Sequence, residues 1–348
     1  MRIRSATFQA ALLAGVLLAG STVPASAAGT PSWNVTAGAS WLKGHVAHGH
    51  VAGISGPDLS ATVQTATALA YAGRRGAHVA TVLRKMSRYL NAHVDAYVSG
   101  GAPASPAVDD PGALARLIFL KQATGTADPA RLVARLVATQ QPSGLFGTGD
   151  PTYDGTIRQS MAMVVLHGAG MGWSDPVMAS ARAWLLAQQC DGGGFSADAA
   201  SAAAGCTLDL LNYLGPDTNS TAMALWALSP ANGAPSTSDE AQRALAFLQG
   251  AERASATWGW LPGLPADSNS SALVVLALAE TGTDMTAGTG PWSRRGTSPV
   301  DGLERFQVRP LDTPSTAGGF RYQNSATYPT PDMLSTEQAL LALSVAGG

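Results

Sequence analysis

Cysteine is nearly missing from this chain, with two in 348 residues. Two thiols alone make a poor zinc site, and they lack the C-x-x-C spacing of a redox pair. Charge is also scarce, at 13% of residues and a net −2, and no basic block stands out. Nucleic acid is therefore a poor partner. Aromatics make up only 6%. Past the N-terminus no apolar run reaches the roughly 18 residues needed to cross a bilayer. What is plentiful is alanine, and 39 glycines. That mixture suits closely packed helices joined by tight turns.

The first residues predict export. Met1 to Arg4 is basic, Ala10 to Gly20 is apolar, and Ala25-Ser26-Ala27 supplies a small-x-small site. This order reads as a secretory signal peptide over 1–27, cut after Ala27. Residues 28–348 then form one domain, secreted or held at the cell envelope, with no membrane span once the signal is removed. No cysteine sits near the cut, which argues against a lipid anchor. In an exported chain an even cysteine count favours a disulfide, here Cys190 with Cys206.

A unit recurs six times. "ARAWLLAQQCDGGGF" from Ala181 aligns with "VARLVATQQPSGLF" from Val133, "ALAFLQGAERASATWGW" from Ala244 and "GLERFQVRPLDTPSTAGGF" from Gly302. Weaker copies start at Ala39 and Ser87. Each is a helical pattern followed by a glycine-bearing joint, and in the strong copies by an aromatic. A second element follows each copy, as in "PDTNSTAMALWAL" from Pro216 and "PADSNSSALVVLALAETG" from Pro265. Proline stops the preceding segment, and Asp, Ser, Thr and Asn accept from the orphan N–H groups of a first helical turn. Thr156 with Gln159 and Ser335 with Gln338 have capping-box spacing. Gly73, Gly125, Gly168 and Gly282 read as C-terminal stops.

The second helix of each unit is apolar nearly all round, so it must be buried on all sides. The first is partly polar. Six such pairs predict an all-α (α/α)6 toroid, with the second helices forming an inner ring. The last helix is as apolar as the others, which favours a closed ring over an end-capped solenoid.

The Q-x-x-x-G-G-F joint with its Ala/Leu-rich helix resembles the repeat of protein prenyltransferase β subunits and of squalene and oxidosqualene cyclases. Intrinsic factor and transcobalamin share that toroid. "QQCDGGGF" with "PDTNSTAMALWAL" is similar to secreted actinobacterial proteins built of these repeats. The class II cyclases protonate an alkene through D-x-D-D. The nearest match here, Ala107-Val108-Asp109-Asp110, lacks its first aspartate. The prenyltransferases hold zinc through an Asp and a Cys two residues apart. Asp217 and Asn219 stand at that spacing, so the zinc ligands do not carry over. The cobalamin carriers imply a non-catalytic role in capture or uptake of a small-molecule ligand, with a cell-surface or transporter partner. The other readings are a prenyltransferase- or cyclase-like enzyme, a carbohydrate-active barrel enzyme and an envelope interaction scaffold. No cofactor and no catalytic residue is assigned.

The inner-helix starts and the joints should converge on one mouth of the ring. Tyr153, Asp154, Tyr213, Asp217, Trp258, Trp260, Asp267 and Tyr322 are the candidate ligand-binding residues there. Asp58, Asp154, Asp217, Asp267 and Asp332 recur unit after unit, as caps do and a catalytic pair does not. His45, His48 and His50 have the donors for a metal, but a solvated loop explains them as well. Asn34, Asn219 and Asn269 head N-glycosylation sequons, the latter two at helix starts where capping accounts for them.

Overall fold

The computed structural model describes residues 32–99, 109–126, 129–148, 154–197, 206–229 and 237–347. Six helices form the inner ring: α2 (Leu59–Arg74), α5 (Pro111–Thr124), α7 (Thr156–Gly168), α9 (Thr218–Leu228), α11 (Ser268–Glu280) and α13 (Met333–Ala346). Each packs against the next, and α13 packs back against α2, so the ring closes. The outer helices are α1 (Trp33–Gly44), α3 (Ala80–Ala92), α6 (Pro129–Ala138), α8 (Pro176–Leu186), α10 (Asp239–Ala251) and the short α12 (Pro299–Glu304). A further short helix, α4 (Val94–Val98), lies against α5. The architecture is the expected toroid of six hairpins.

The inner helices start alike. Asp58, Asp110, Asp217, Asp267 and Asp332 each accept a first-turn backbone N–H, at 2.7–2.9 Å. Capping of this kind is worth about 1 kcal/mol per helix. The expected capping boxes do not form. Helix α13 is capped by Asp332, one turn before Ser335, and α7 starts after Gly155. The box found lies in α12, between Ser298 and Asp301.

The hydroxyls have another task. Thr62, Thr221, Ser271 and Thr336 sit one turn into their helices and each accepts the backbone N–H of a joint residue. The donors are Val51, Phe195, Trp258 and Phe320, at 2.9–3.0 Å. In the third unit Gln159 replaces the hydroxyl and accepts from Phe146 at 2.9 Å. The aromatic of each strong joint is thereby held in the core, and Phe146, Phe195, Trp258 and Phe320 are fully buried.

The joints are tied sideways as well. Gln140, Gln189 and Gln307 each donate their amide both to their own joint and to the start of the next outer helix. The second acceptors are the carbonyls of Val177, Glu240 and Asn34, all 2.8 Å away. The last of these joins the sixth unit to the first. Short antiparallel pairings complete the joints. Strands β1 (Val46–Ala47), β2 (His50–Ala52) and β3 (Pro57–Asp58) form one small sheet, and β4 (Phe195–Ser196) pairs with β5 (Pro216–Asp217).

Of the expected glycine stops, Gly125 is a left-handed C-cap and Gly282 lies beyond α11 with φ 81°. Gly73 and Gly168 instead fall inside their helices. The left-handed residues there are Gly76 and Gly170. Cys190 and Cys206 form the expected disulfide, with Cα atoms 5.4 Å apart.

Candidate functional site

A ring of helices leaves space on its axis unless large side chains fill it. Here positions one turn and two turns apart on four inner helices face that axis: Gly112/Arg116/Phe119, Asn219/Met223/Trp226, Asn269/Leu273/Leu276 and Leu334/Gln338/Leu341. Spacing of i, i+4, i+7 places residues on one helix face. Together with Val63, Gln64 and Thr67 of α2 they enclose a cavity of about 310 Å3.

The cavity is layered. Its upper wall carries Arg158, Asn219 and Asn269 near the helix starts. The middle holds Gln64, Arg116, Glu337 and Gln338 among Met161, Met223 and Leu273. The floor is apolar, with Phe119 and Trp226 meeting edge to face at 5.7 Å and Tyr71 stacked behind Phe119 at 5.6 Å. Arg158 faces Asp154 and Asp110, at 3.6 and 3.7 Å.

Glu337 is the unusual wall residue. Its side chain is 3% exposed, and no cation pairs with it among the described residues. Thr65 donates its hydroxyl to Oε1 at 2.5 Å. Burial pushes the carboxyl up to about 8, the Thr65 hydrogen bond opposes that rise, and the Asp58 and Asp332 carboxylates add to it. Glu337 is thus mainly neutral at pH 7.

The residues expected at the site from sequence are distributed around the mouth, and none of those described lines the cavity. Tyr153 lies outside the described residues. Asp217 and Asp267 are 1% and 2% exposed, and both cap helices. Burial pushes each up to about 6, while hydrogen bonds from Ser220 and Ser270 pull the other way. Asp154 is buried and accepts from the Thr148 backbone at 2.7 Å. Trp258 is a core plug whose indole N–H donates to the Leu248 carbonyl at 2.8 Å. Three of the eight reach the rim. Tyr213 stacks on Trp260 at 5.9 Å, and Tyr322 meets Tyr328 edge to face at 5.0 Å.

That rim is apolar. Every large hydrophobic exposed among the described residues sits in a joint or at the first turn of an inner helix. Leu208, Leu210, Leu211, Tyr213 and Leu214 crowd the segment that follows Cys206 and leads to α9.

The histidines do not gather. His45 Nδ1 bonds the Trp41 carbonyl at 2.9 Å, and His50 lies against the Tyr89 ring. His48 edges a separate open groove outside the ring, between α1 and α3. No group of three or more His, Cys, Asp or Glu able to hold a metal occurs among the described residues. No helix there is long and apolar enough to cross a membrane.

No protein-family model matches the chain, and no curated protein matches it. Solved structures do. Type II terpene cyclase MstE from Scytonema aligns with 90% of this chain and 97% of its own, at 14% identity and TM-score 0.58. Unsaturated glucuronyl hydrolase from Bacillus sp. GL1 aligns with 90% and 96%, at 14% identity and TM-score 0.56. ent-Copalyl diphosphate synthase from Streptomyces platensis aligns with 85% of this chain at 17% identity and TM-score 0.53, and the match spans 53% of that longer protein. Fold likeness of this degree is shared by proteins of different chemistry. The chain has the α/α toroid fold common to these terpene cyclases and glucuronyl hydrolases.

Proposed function

We propose that this protein is an exported, non-catalytic binding protein that holds a small amphiphilic molecule in the axial cavity. The observation that carries this reading is the layering of that cavity. An aromatic and aliphatic floor receives an apolar body, and amides and arginines above it receive a polar end. Its volume, about 310 Å3, lies at the lower end of the range for small-molecule sites. A corrinoid is several times too large to be enclosed there. A cobalamin-like ligand would have to rest on the mouth, so the cavity favours a smaller molecule. The disulfide supports export. Hand-over to a cell-surface transporter is the partnership this reading calls for.

The absence of catalysis is argued from the carboxylates. Glycoside hydrolysis needs two carboxyl groups facing one substrate. Asp217, Asp267 and Asp332 are engaged in capping, Asp154 faces Arg158, and among the described residues Glu337 is the one acid on the cavity wall. A second reading, acid catalysis, is favoured by that same buried neutral carboxyl above an apolar floor.

The test is to purify the mature protein, incubate it with extracts of culture medium, and identify released molecules by mass spectrometry. The expected result is an amphiphile that co-purifies with wild type and not with Leu276→Trp, a variant that fills the cavity floor. Retention by Leu276→Trp would sink the cavity reading. Turnover of the captured molecule would sink the non-catalytic one.

A further inference from the structure

Charge in this chain is scarce but unevenly placed. Residues 32–94 carry six lysines and arginines and one acid, Asp58, whereas residues 95–348 carry 22 acids against 13 lysines and arginines. The six cations stand too far apart in sequence to form a block, and folding gathers them. They lie on α1, on α3 and at the end of α2, so the first unit of the ring has a basic outer side. None of the six forms an ion pair among the described residues.

The groove between α1 and α3 opens on that side. It measures about 780 Å3, within the range of small-ligand sites. Lys43, Arg74 and Lys85 stand around it, and Val46, Val82 and Leu83 give it an apolar lining. No acid and no aromatic residue lines it among the described residues. Two contacts fix its shape. Lys43 donates to the His78 carbonyl at 3.0 Å, which holds an ammonium at the rim with two donors left over. Gly49, with φ 88°, seats the first joint against α3, and a Cβ there would stand 2.7 Å from the Lys85 carbonyl oxygen. A groove already shaped loses less on binding. Arg74 is partly committed, since it donates to the Ala123 carbonyl at 2.6 Å and Glu280 acts on it from α11. The uncompensated charges are therefore those of Lys43 and Lys85, both exposed.

We propose that this groove docks an acidic peptide segment of a partner protein, one whose Asp or Glu residues flank aliphatic ones. Charge complementarity sets the sign of the partner. The lining sets its class. A bilayer surface is too flat to fill a concave groove. A single nucleic-acid strand stacks its bases on aromatic rings, and none lines this groove. An acidic glycan presents no aliphatic side chain to Val46, Val82 and Leu83. A peptide meets both demands, with carboxylates on the lysines and apolar side chains between them. The inference stands apart from the axial cavity, because the groove lies outside the ring and shares no lining residue with it.

The capped peptide Glu-Leu-Glu-Ala-Leu-Glu tests this, by calorimetry on the mature protein. Lys-Leu-Lys-Ala-Leu-Lys reverses its charge, and Glu-Ser-Glu-Ser-Ser-Glu removes its apolar side chains. The first is expected to bind, the second not measurably, and the third at least tenfold more weakly. The double variant Lys43→Glu/Lys85→Glu should lose at least tenfold in affinity for the first. Arg131→Glu, which reverses an exposed charge on α6, should leave that affinity unchanged. Lys43→Gln/Lys85→Gln removes the charges without reversing them and should show a smaller loss in the same direction, which covers the case where reversal unfolds the unit. Undiminished binding by both double variants, equal binding of the charge-reversed peptide, or binding of none of the three overturns the proposal. Tighter binding of heparin or of a thymidine oligonucleotide through the same lysines also overturns it, and assigns the groove to a polyanion.

Discussion

Substituting Gly193 by alanine tests the logic that holds the ring together. Gly193 has φ 87°, a conformation in which an L side chain is strained by about 1–2 kcal/mol. A Cβ there would stand 2.3 Å from the Arg243 carbonyl oxygen and 2.6 Å from its carbon, in the backbone of α10. Backbone cannot swing aside as a side-chain tip can. The joint must therefore lift off α10, and overpacking of this kind costs about 1–3 kcal/mol. The lift also disturbs Gln189, whose amide bridges the Gly193 and Glu240 carbonyls at 3.0 and 2.8 Å. Together these give an expected loss of about 2–5 kcal/mol. Neighbouring Gly192 is the control, because a Cβ there meets nothing within 4 Å. Its alanine variant should fall within about 0.5 kcal/mol of wild type. Urea unfolding followed by circular dichroism reads both. If Gly193→Ala and Gly192→Ala unfold at the same denaturant concentration, the joint is not fixed by backbone contact with the next outer helix.

Replacing Cys190 and Cys206 by serine should cost about 3 kcal/mol, from the freed loop between them. Thermal melts should show it, and an unchanged midpoint would mean the loop is held by other contacts. The pH dependence of stability follows from Glu337, raised to about 8, and from Asp217 and Asp267, raised to about 6. A carboxyl whose folded value is raised contributes stability that is full below its ordinary range and lost as pH climbs through the folded value. Wild type should lose up to about 5 kcal/mol through Glu337 between pH 4.5 and 8. Glu337→Gln should lack that component, and parallel wild-type and variant profiles in chemical denaturation would refute the assignment.

The ring was legible because it is written six times. One joint alone, such as "QQCDGGGF", is ambiguous between a reactive loop and a turn, but its alignment with "QQPSGLF" identifies the glutamine and glycine as shared structure. The aspartate caps were legible for the same reason. The task of the hydroxyls was not. Ser335 and Thr336 both look like capping residues, yet only the packed structure has Thr336 reaching back to Phe320. The fifth joint also departs from the rule in a way that sequence alone hides. Its turn residue is Ala256, with φ 55°, and the glycine that permits close approach is Gly302 on the outer helix, against the Ala256 and Ser255 carbonyls.

The cavity was hidden by the same repetition that revealed the ring. A nearly all-apolar helix gives no periodic signal for which face looks inward, so its few polar residues carry that information. Asn219 and Asn269 sit in first turns, where capping explains them sufficiently, and so they read as caps. Glu337 had no such explanation. It is the only acid in the first three turns of any inner helix, and Asp332 already serves the cap. A residue type that recurs in most units serves the ring, as the aspartates, hydroxyls and joint glycines do. A costly residue present in one unit alone must answer to something the ring does not supply. By that criterion the mouth carboxylates belong to architecture, and the specific chemistry of this toroid belongs to the axial stripe of α13.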